Sequence, residues 1–319
     1  MPTAFITGIT GQDGSFLAEQ LVARGWRVVG LVRRSASRNL WRLRGVLEKI
    51  ELVDGDLLDL GSMVDAIRDC QPDHVYNLAA QSFVATSWRQ PLLTGDVTAL
   101  GAARLLEAVR IARPEARVYQ AGSSEMFGTA GDGAQNEDTP FHPRSPYGVA
   151  KVYAHHLAVN YRESHGMFVV AGILFNHESE RRGPEFVTRK IAQAVAAIRA
   201  GKQTHLHLGD ISVRRDWGFA GDYTEAMVAM LEQDRPQDFV VATGQSWSVE
   251  DFAVRAFEVA GLELEDHLRH DPRLIRPADI PVLCGDAGRA HEKLGWSPSM
   301  SFDQLVERMV EAELRLNPA

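Results

Sequence analysis

Ala4-Phe5-Ile6-Thr7-Gly8-Ile9-Thr10-Gly11-Gln12-Asp13-Gly14 is the stretch whose reading decides the fold. Ala4–Thr7 is a short apolar run that reads as a buried strand. It enters a glycine-spaced turn, after which Phe16, Leu17, Leu21 and Val22 recur at helical spacing as far as Gly25. A second strand, Val28-Val29-Gly30-Leu31-Val32, completes a βαβ unit of about thirty residues with its glycines at the strand-to-helix turn. Such a turn lets backbone approach a pyrophosphate, and the helix start adds free N–H groups and a positive dipole end. A plain glycine-rich turn is the alternative, and the strand–turn–helix context favours dinucleotide binding. Gly8, Thr10, Gly11, Gln12, Asp13 and Gly14 are therefore candidate cofactor-binding residues.

The alternation continues down the chain. Ile50-Glu51-Leu52-Val53, Val75-Tyr76-Asn77-Leu78, Arg117-Val118-Tyr119-Gln120-Ala121 and Phe168 to Phe175 read as further strands. Helices are predicted over about 61–69 and 96–112, and from Ser145 onward. Repeated βα units make an α/β fold of Rossmann type, a doubly wound parallel sheet. Beyond about residue 176 the rhythm changes. Helical patterns at Val187 to Ile198, about 249–260 and about 302–314 are read as a smaller substrate-binding lobe. The expected division is 1–175, with a returning segment near 216–245, against 176–215 and 246–319.

In parallel sheets of this kind ligands bind at the C-terminal strand ends. An acidic residue after the second strand would favour a free adenosine ribose. This chain has Arg33-Arg34-Ser35 instead, which suits a 2′-phosphate and so NADP, a solvated basic turn being the alternative. Asp56 and Leu57 end the third strand where an adenine edge can be read. Leu78, Ala79, Ala80, Gln81 and Ser82 follow the fourth, and their small side chains leave room for cofactor backbone. The basic run through Arg38, Arg42 and Arg44 around Trp41 is read as a loop contacting phosphates or a neighbouring subunit.

Composition sets the bounds. The 319 residues are 45% hydrophobic and 24% charged, as in an ordinary globular chain, and the net charge of −8 excludes a general affinity for nucleic acid. Cys70 and Cys284 have no metal-ligand spacing and fit a reducing cytosol. His205 and His207 alternate as on a strand face, without a partner spacing that would make them metal ligands. There is no membrane-length apolar run and no signal-like start, so a cytoplasmic, non-membrane protein is expected.

Ser145-Pro146-Tyr147-Gly148-Val149-Ala150-Lys151 supplies the chemistry. Tyr147 and Lys151 stand one helical turn apart on one face, where a lysine cation favours a phenolate. The strand before them delivers Ser123 and Glu125 to the same edge. A phenol, a hydroxyl and a lysine beside a nicotinamide make a carbinol-oxidising site: Tyr147 takes the hydroxyl proton and Ser123 holds the oxygen. Simple oxidation needs no carboxylate. A ketone acidifies its neighbouring C–H, so Glu125 can drive elimination of water from the next carbon. Arg182, Lys190, Arg215 and Arg276 are basic groups of the second lobe suited to a diphosphate, and Asn176 to a base edge or ribose.

These residues resemble the extended short-chain dehydrogenase/reductase superfamily and, within it, the GDP-mannose 4,6-dehydratases. The resemblance covers nearly the whole chain. It is carried by Thr7 to Ser15, Tyr76 to Val84, Ser124-Glu125-Met126-Phe127-Gly128, Ser145 to Lys151, Phe175-Asn176-His177-Glu178-Ser179, Phe186 to Lys190 and Arg215-Asp216-Trp217-Gly218. It implies NADP, a GDP-sugar substrate and a hydro-lyase. By position it implies Ser123, Glu125, Tyr147 and Lys151 as catalytic residues. Cofactor contacts would come from Arg34, Asp56, Leu57, Leu78 to Ser82, His177 and Arg182. Asn176, Lys190, Arg215, Arg276 and Asp279 would hold the GDP part, with Ser82, Ser123 and Glu125 also facing substrate. A homo-oligomer, dimer or tetramer, is implied as well, with no metal. Glu180 and Asp210-Ile211-Ser212-Val213-Arg214 depart from the family pattern, which leaves a related GDP-sugar such as a GDP-heptose as an alternative substrate. A nucleotide-sugar epimerase or reductase, and a non-catalytic NADP sensor, are the competing functions. Glu125 opposes the first and the intact Ser123–Tyr147–Lys151 set opposes the second.

Overall fold

The computed structural model describes residues 1–35, 37, 39–129, 133–275 and 278–317. Six strands, β1 (Thr3–Thr7), β2 (Arg27–Val32), β3 (Glu51–Asp54), β4 (His74–Asn77), β5 (Arg117–Ala121) and β6 (Val169–Leu174), form a parallel sheet with a seventh, Phe239–Val241. The order across the sheet is Phe239–Val241, β6, β5, β4, β1, β2, β3. The chain winds outward from β1 to β3, then returns past β1 to wind the other way. This is the doubly wound α/β arrangement, and it leaves a crevice at the C-terminal ends of β1 and β4.

Side-chain alternation explains why the inner strands are apolar along most of both faces. Ala4, Ile6, Val28, Tyr76, Tyr119 and Val170 enter a core on one face. Phe5, Val29, Val75, Val118 and Val169 enter a core on the other. A parallel sheet covered by helices on both faces has no solvent side on which to spend polar residues. Helix Ala220–Leu231 buries Tyr223, Met227 and Leu231 in the first core, as do Ile280, Leu283, Ala290 and Trp296 from late in the chain.

A third core sits in the second lobe. Helices Val187–Arg199, Val249–Val259 and Phe302–Leu316 pack Ile191, Val195, Phe252, Phe257, Leu305 and Met309 together. The last two helices start with capping boxes, Ser248 with Asp251 and Ser301 with Gln304. Helix Pro146–His165 is set as firmly: the Ser145 hydroxyl accepts from Gly148 N (3.0 Å), Pro146 occupies its first turn, and Gly166 ends it in the left-handed region.

The helix expected from about 96 extends further back. It begins at Pro91 and passes through a π-helical turn, Gly95–Leu100, before the regular Gly101–Ala112 segment. Inside that turn the Thr98 hydroxyl accepts from Gln81 N at 3.2 Å.

Candidate functional site

The glycine-spaced turn is shaped by contact. Gly8 has φ +72°, and a Cβ there would lie 2.8 Å from Ala79 N, so only glycine lets β1 pass this close to the segment after β4. Thr7 secures the same junction: its hydroxyl donates to Asn77 Oδ1 (2.7 Å) and accepts from Ala79 N (3.2 Å). A Cβ on Gly14 would lie 2.4 Å from Gly8 O, and Gly11 N donates to that same oxygen (2.9 Å). Helix Gln12–Ala23 begins at Gly11 with no side-chain cap. No side chain among the described residues caps its first N–H groups, which follow directly on the C-terminal end of β1, an arrangement that fits a pyrophosphate.

Arg33, Arg34 and Ser35 follow β2 directly and are exposed. Leu57 is buried after β3, while Asp56 turns its carboxylate onto Leu58 N (3.0 Å). Gln81 is fixed by Thr98 and by donation to Phe83 O (3.1 Å), which sets the path of Leu78 to Ser82. Arg42, from the basic loop, folds back: its Nε donates to Arg181 O (2.7 Å) and its Nη1 to Thr10 O (3.4 Å).

β5 ends at Ala121, and Ser123 begins a 3₁₀ turn, Ser124–Met126, by accepting from Glu125 N at 3.3 Å. Helix Pro146–His165 packs against this turn. A Cβ on Gly148 would lie 2.7 Å from Glu125 O, so the glycine beside Tyr147 brings helix and turn together. Tyr147 is buried and hydrogen-bonds Ser123. Lys151 is buried too: its Nζ donates to Ala121 O (2.8 Å) and lies 5.7 Å from the centre of the Tyr147 ring.

The expected depression of the phenol is not what the protein alone produces. Burial pushes Tyr147 up to about 12, with Glu125 adding to the rise and Ser123 and Arg182 opposing it. Burial pushes Lys151 down to about 8, against the attraction of Asp13. Desolvation disfavours both charged forms and outweighs their mutual effect at this separation.

The Asn176–Glu178 strand begins the next set. Its alternation divides the labour. His177 and Ser179 face the glycine turn: His177 Nε2 lies 3.0 Å from Asp13 Oδ2, and the Ser179 hydroxyl donates to Gln12 Oε1 (2.8 Å). Gln12 Nε2 returns a bond to His177 O (3.0 Å). The second ring nitrogen of His177 lies 2.7 Å from Phe175 O, so both ring nitrogens face acceptors, an arrangement that favours the protonated ring. Burial opposes that charge, but Asp13 outweighs it and raises the His177 pKa. Burial would likewise raise Asp13, and His177 with Gln12 and Arg182 brings it to about 2. Asp13 is thus the counter-ion of His177. Glu178 faces the other way, pairing with Arg182 Nε (3.1 Å).

In the second lobe Lys190 Nζ donates to His207 O at 2.6 Å. Arg215 joins Asp279: Nη2 donates to Asp279 Oδ1 (2.8 Å), and Nη1 to the carbonyls of Ile280 (2.8 Å) and Arg214 (2.9 Å). Asn176 stands opposite Trp217 in strand register. Arg276 lies outside the described residues. Asp216, unassigned from sequence, is fully buried and accepts from Thr243 N and Oγ1, Gly244 N and Gly285 N. It ties the strand after Arg215 to the two loops behind it. Gly148, Thr98 and Asp216 act through contacts between segments far apart in sequence. Gly148 and Asp216 lie within the quoted Ser145 to Lys151 and Arg-Asp-Trp-Gly stretches and left a sequence signal, whereas Thr98 left none.

A family model described as GDP-mannose 4,6 dehydratase matches residues 5–309. GDP-mannose 4,6 dehydratase 1 of Arabidopsis thaliana is 50% identical over 325 residues, covering 98% of this chain and 90% of that protein. The Homo sapiens GDP-mannose 4,6 dehydratase is 43% identical over 340 residues, covering 98% and 91%. A dTDP-glucose 4,6-dehydratase of Streptomyces venezuelae, solved with NAD bound, shares the fold with a TM-score of 0.89 at 23% identity, over 99% of this chain and 97% of that one. With such identity along nearly its whole length, the chain belongs to the GDP-mannose 4,6-dehydratase family.

Proposed function

We propose that this protein converts GDP-mannose to GDP-4-dehydro-6-deoxy-mannose and water, with NADP as its cofactor. The observation that carries this reading is the placement of Glu125 beside the Ser123–Tyr147 pair, set by the fit of Gly148 against the Glu125 carbonyl. The glycine turn, Arg33, Arg34, Ser35, His177 and Arg182 would hold NADP. Bound there, NADP would supply a reversible hydride acceptor for the sugar and a cationic ring that favours the Tyr147 phenolate.

Ser123 orients the C4 hydroxyl and Tyr147 takes its proton. Lys151, charged below about pH 8, holds a cation beneath the phenol. The resulting ketone acidifies C5–H. Glu125 removes that proton and passes it to the departing C6 hydroxyl, which leaves as water. The proton that Tyr147 took from the C4 hydroxyl is the one returned to C5, which restores the phenolate and leaves a net loss of one water. Lys190, Arg215, Asp279, Arg276 and Asn176 would hold the GDP moiety. Glu180 is engaged bidentately by Arg308 (2.7 and 2.9 Å) and Asp210 by Ser212, so these departures from the family pattern serve the lobe's own structure.

The division into lobes at 1–175 with 216–245, and 176–215 with 246–319, is proposed with residues 280–296 assigned to the sheet side, where they pack. A homo-oligomer is supported by the exposed Leu92, Leu100, Val149 and Tyr153, which line an opening of about 790 Å³ between two helices. Cytoplasmic residence suits the free thiols of Cys70 and Cys284. No helix among the described residues is long and apolar enough to cross a membrane.

The test is incubation with GDP-mannose and a catalytic amount of NADP, following product mass. Loss of one water without lasting reduced cofactor supports the reading. Build-up of reduced cofactor in step with substrate consumed overturns it.

A further inference from the structure

Glu178 is a buried carboxylate to which the proposed chemistry gives no task. It is 1% exposed. Its Oε2 accepts from the Thr188 hydroxyl at 2.6 Å and lies 3.1 Å from Arg182 Nε. A buried ion pair is seldom the most stabilising filling for its volume, because desolvation offsets the attraction. Its retention therefore asks for a reason other than stability. The partners supply one. The Arg182 guanidinium lies 3.6 Å over the Phe186 ring, and Phe186 meets Phe83 edge-on at 5.5 Å. Arg182's face is thus covered by Phe186, its Nε stands at ion-pair distance from Glu178 without a hydrogen-bond partner among the described residues, and its charge acts on Asp13, His177 and Tyr147, the groups around the glycine turn. Thr188 opens the helix Val187–Arg199, which carries Lys190. One oxygen atom is therefore shared between a cofactor-side arginine and the start of the helix that presents a substrate-side lysine.

We propose that Glu178 is a positioning residue that couples the two ligand sites, so that cofactor and nucleotide sugar each tighten the binding of the other. This rests on the assignment of Arg182 to the cofactor and Lys190 to the GDP moiety. A ligand that fixes the guanidinium fixes Glu178 Oε2, and with it the Thr188 hydroxyl and the first turn of the helix. The ordering cost is then already met when the second ligand arrives. The coupling is reciprocal by thermodynamic necessity.

The test is a binding cycle on the full chain, with NADPH and GDP as probes. In the wild type, saturating GDP tightens NADPH at least about fivefold, and NADPH tightens GDP by the same factor. Thr188→Val removes the hydroxyl with little change in shape. It leaves each ligand's separate affinity within about twofold and brings the coupling factor to one. Thr188→Ser restores the factor, which a general loosening of the helix does not. Wild-type coupling absent, or coupling undiminished in Thr188→Val, overturns the proposal. Arg182→Ala and Lys190→Ala distinguish that failure from failure of the assignments beneath it. If Arg182→Ala does not weaken NADPH alone, or Lys190→Ala does not weaken GDP alone, the ligand placement is wrong and the proposal falls with it. If both weaken their own ligand and coupling is still absent, only the Glu178 bracket is wrong.

Discussion

The carbonyl oxygen of Glu125 lies 2.7 Å from where a Cβ on residue 148 would stand, and residue 148 is glycine. Real Cβ atoms do not approach backbone this closely, so Gly148→Ala separates the Tyr147 helix from the Glu125 turn. A displacement of about 1 Å between reacting groups costs about a hundredfold in rate. Gly148→Ala is expected to lower kcat by that order while thermal unfolding shows a folded protein. Unchanged kcat in a folded variant removes the close approach from the account of the site.

Glu125→Gln keeps the size of the side chain and removes its base. The variant is expected to oxidise C4 and stop, since C5–H is not removed. Reduced-nicotinamide absorbance then rises to about one equivalent per site in a single turnover, and no water is lost from the sugar. Dehydration at the wild-type rate contradicts the role given to Glu125.

Arg33 and Arg34 are exposed at the end of β2, and the sequence from Arg33 to Leu40 carries no acidic residue. Charge-assisted contacts of this kind are worth about 1.5–3 kcal/mol each. Arg34→Ala is expected to weaken NADP at least about tenfold while NAD changes little, measured by direct titration of both. Equal weakening of the two cofactors rules out a 2′-phosphate contact at Arg34.

The Asp13–His177 pair gives a pH signature. His177 is raised above its ordinary 6.5, so its contribution to stability is complete below that value and is lost as pH rises through the higher folded value. Asp13 is lowered from 3.8 to about 2, so its contribution is present above 3.8 and is lost as pH falls toward 2. Asp13→Asn should therefore cost most between those limits, by about 1–3 kcal/mol, with the gap in melting temperature closing at either end. A gap independent of pH shows that the pair is not ionic.

Lys151 carries its charge only below about pH 8, because burial disfavours it. The rate constant kcat/KM reports groups of the free enzyme, so it is expected to fall as pH rises through about 8. Lys151→Arg keeps the charge across that range, so its lower activity should show no such alkaline fall. An alkaline limb at the same pH in Lys151→Arg assigns it to another group.

Much of this protein is local in origin. The glycine turn, the apolar strands and Ser145 with Pro146 ahead of the Tyr147 helix are legible because each depends on neighbours a few residues away. The catalytic candidates were legible for a related reason, as strand ends and a helical four-residue spacing place them. The π-helical turn was not legible. It leaves no periodic mark in apolar residues, and Thr98 serves Gln81 only because the two segments meet in space. The role of Asp13 was legible only in part. Its place in the turn makes it a candidate cofactor contact, whereas its carboxylate pairs with His177, far along the chain.

The sequence by itself determined the βα alternation, the doubly wound sheet and the residues available for chemistry, because period and turn composition are local properties of a chain. Tertiary structure alone decided which charges neutralise each other and how near the turn bearing Glu125 comes to the helix bearing Tyr147. It also decided that the phenol and the lysine are both driven toward their neutral forms. Those outcomes depend on desolvation and on distances between remote segments, and neither exists until the cores have closed around them.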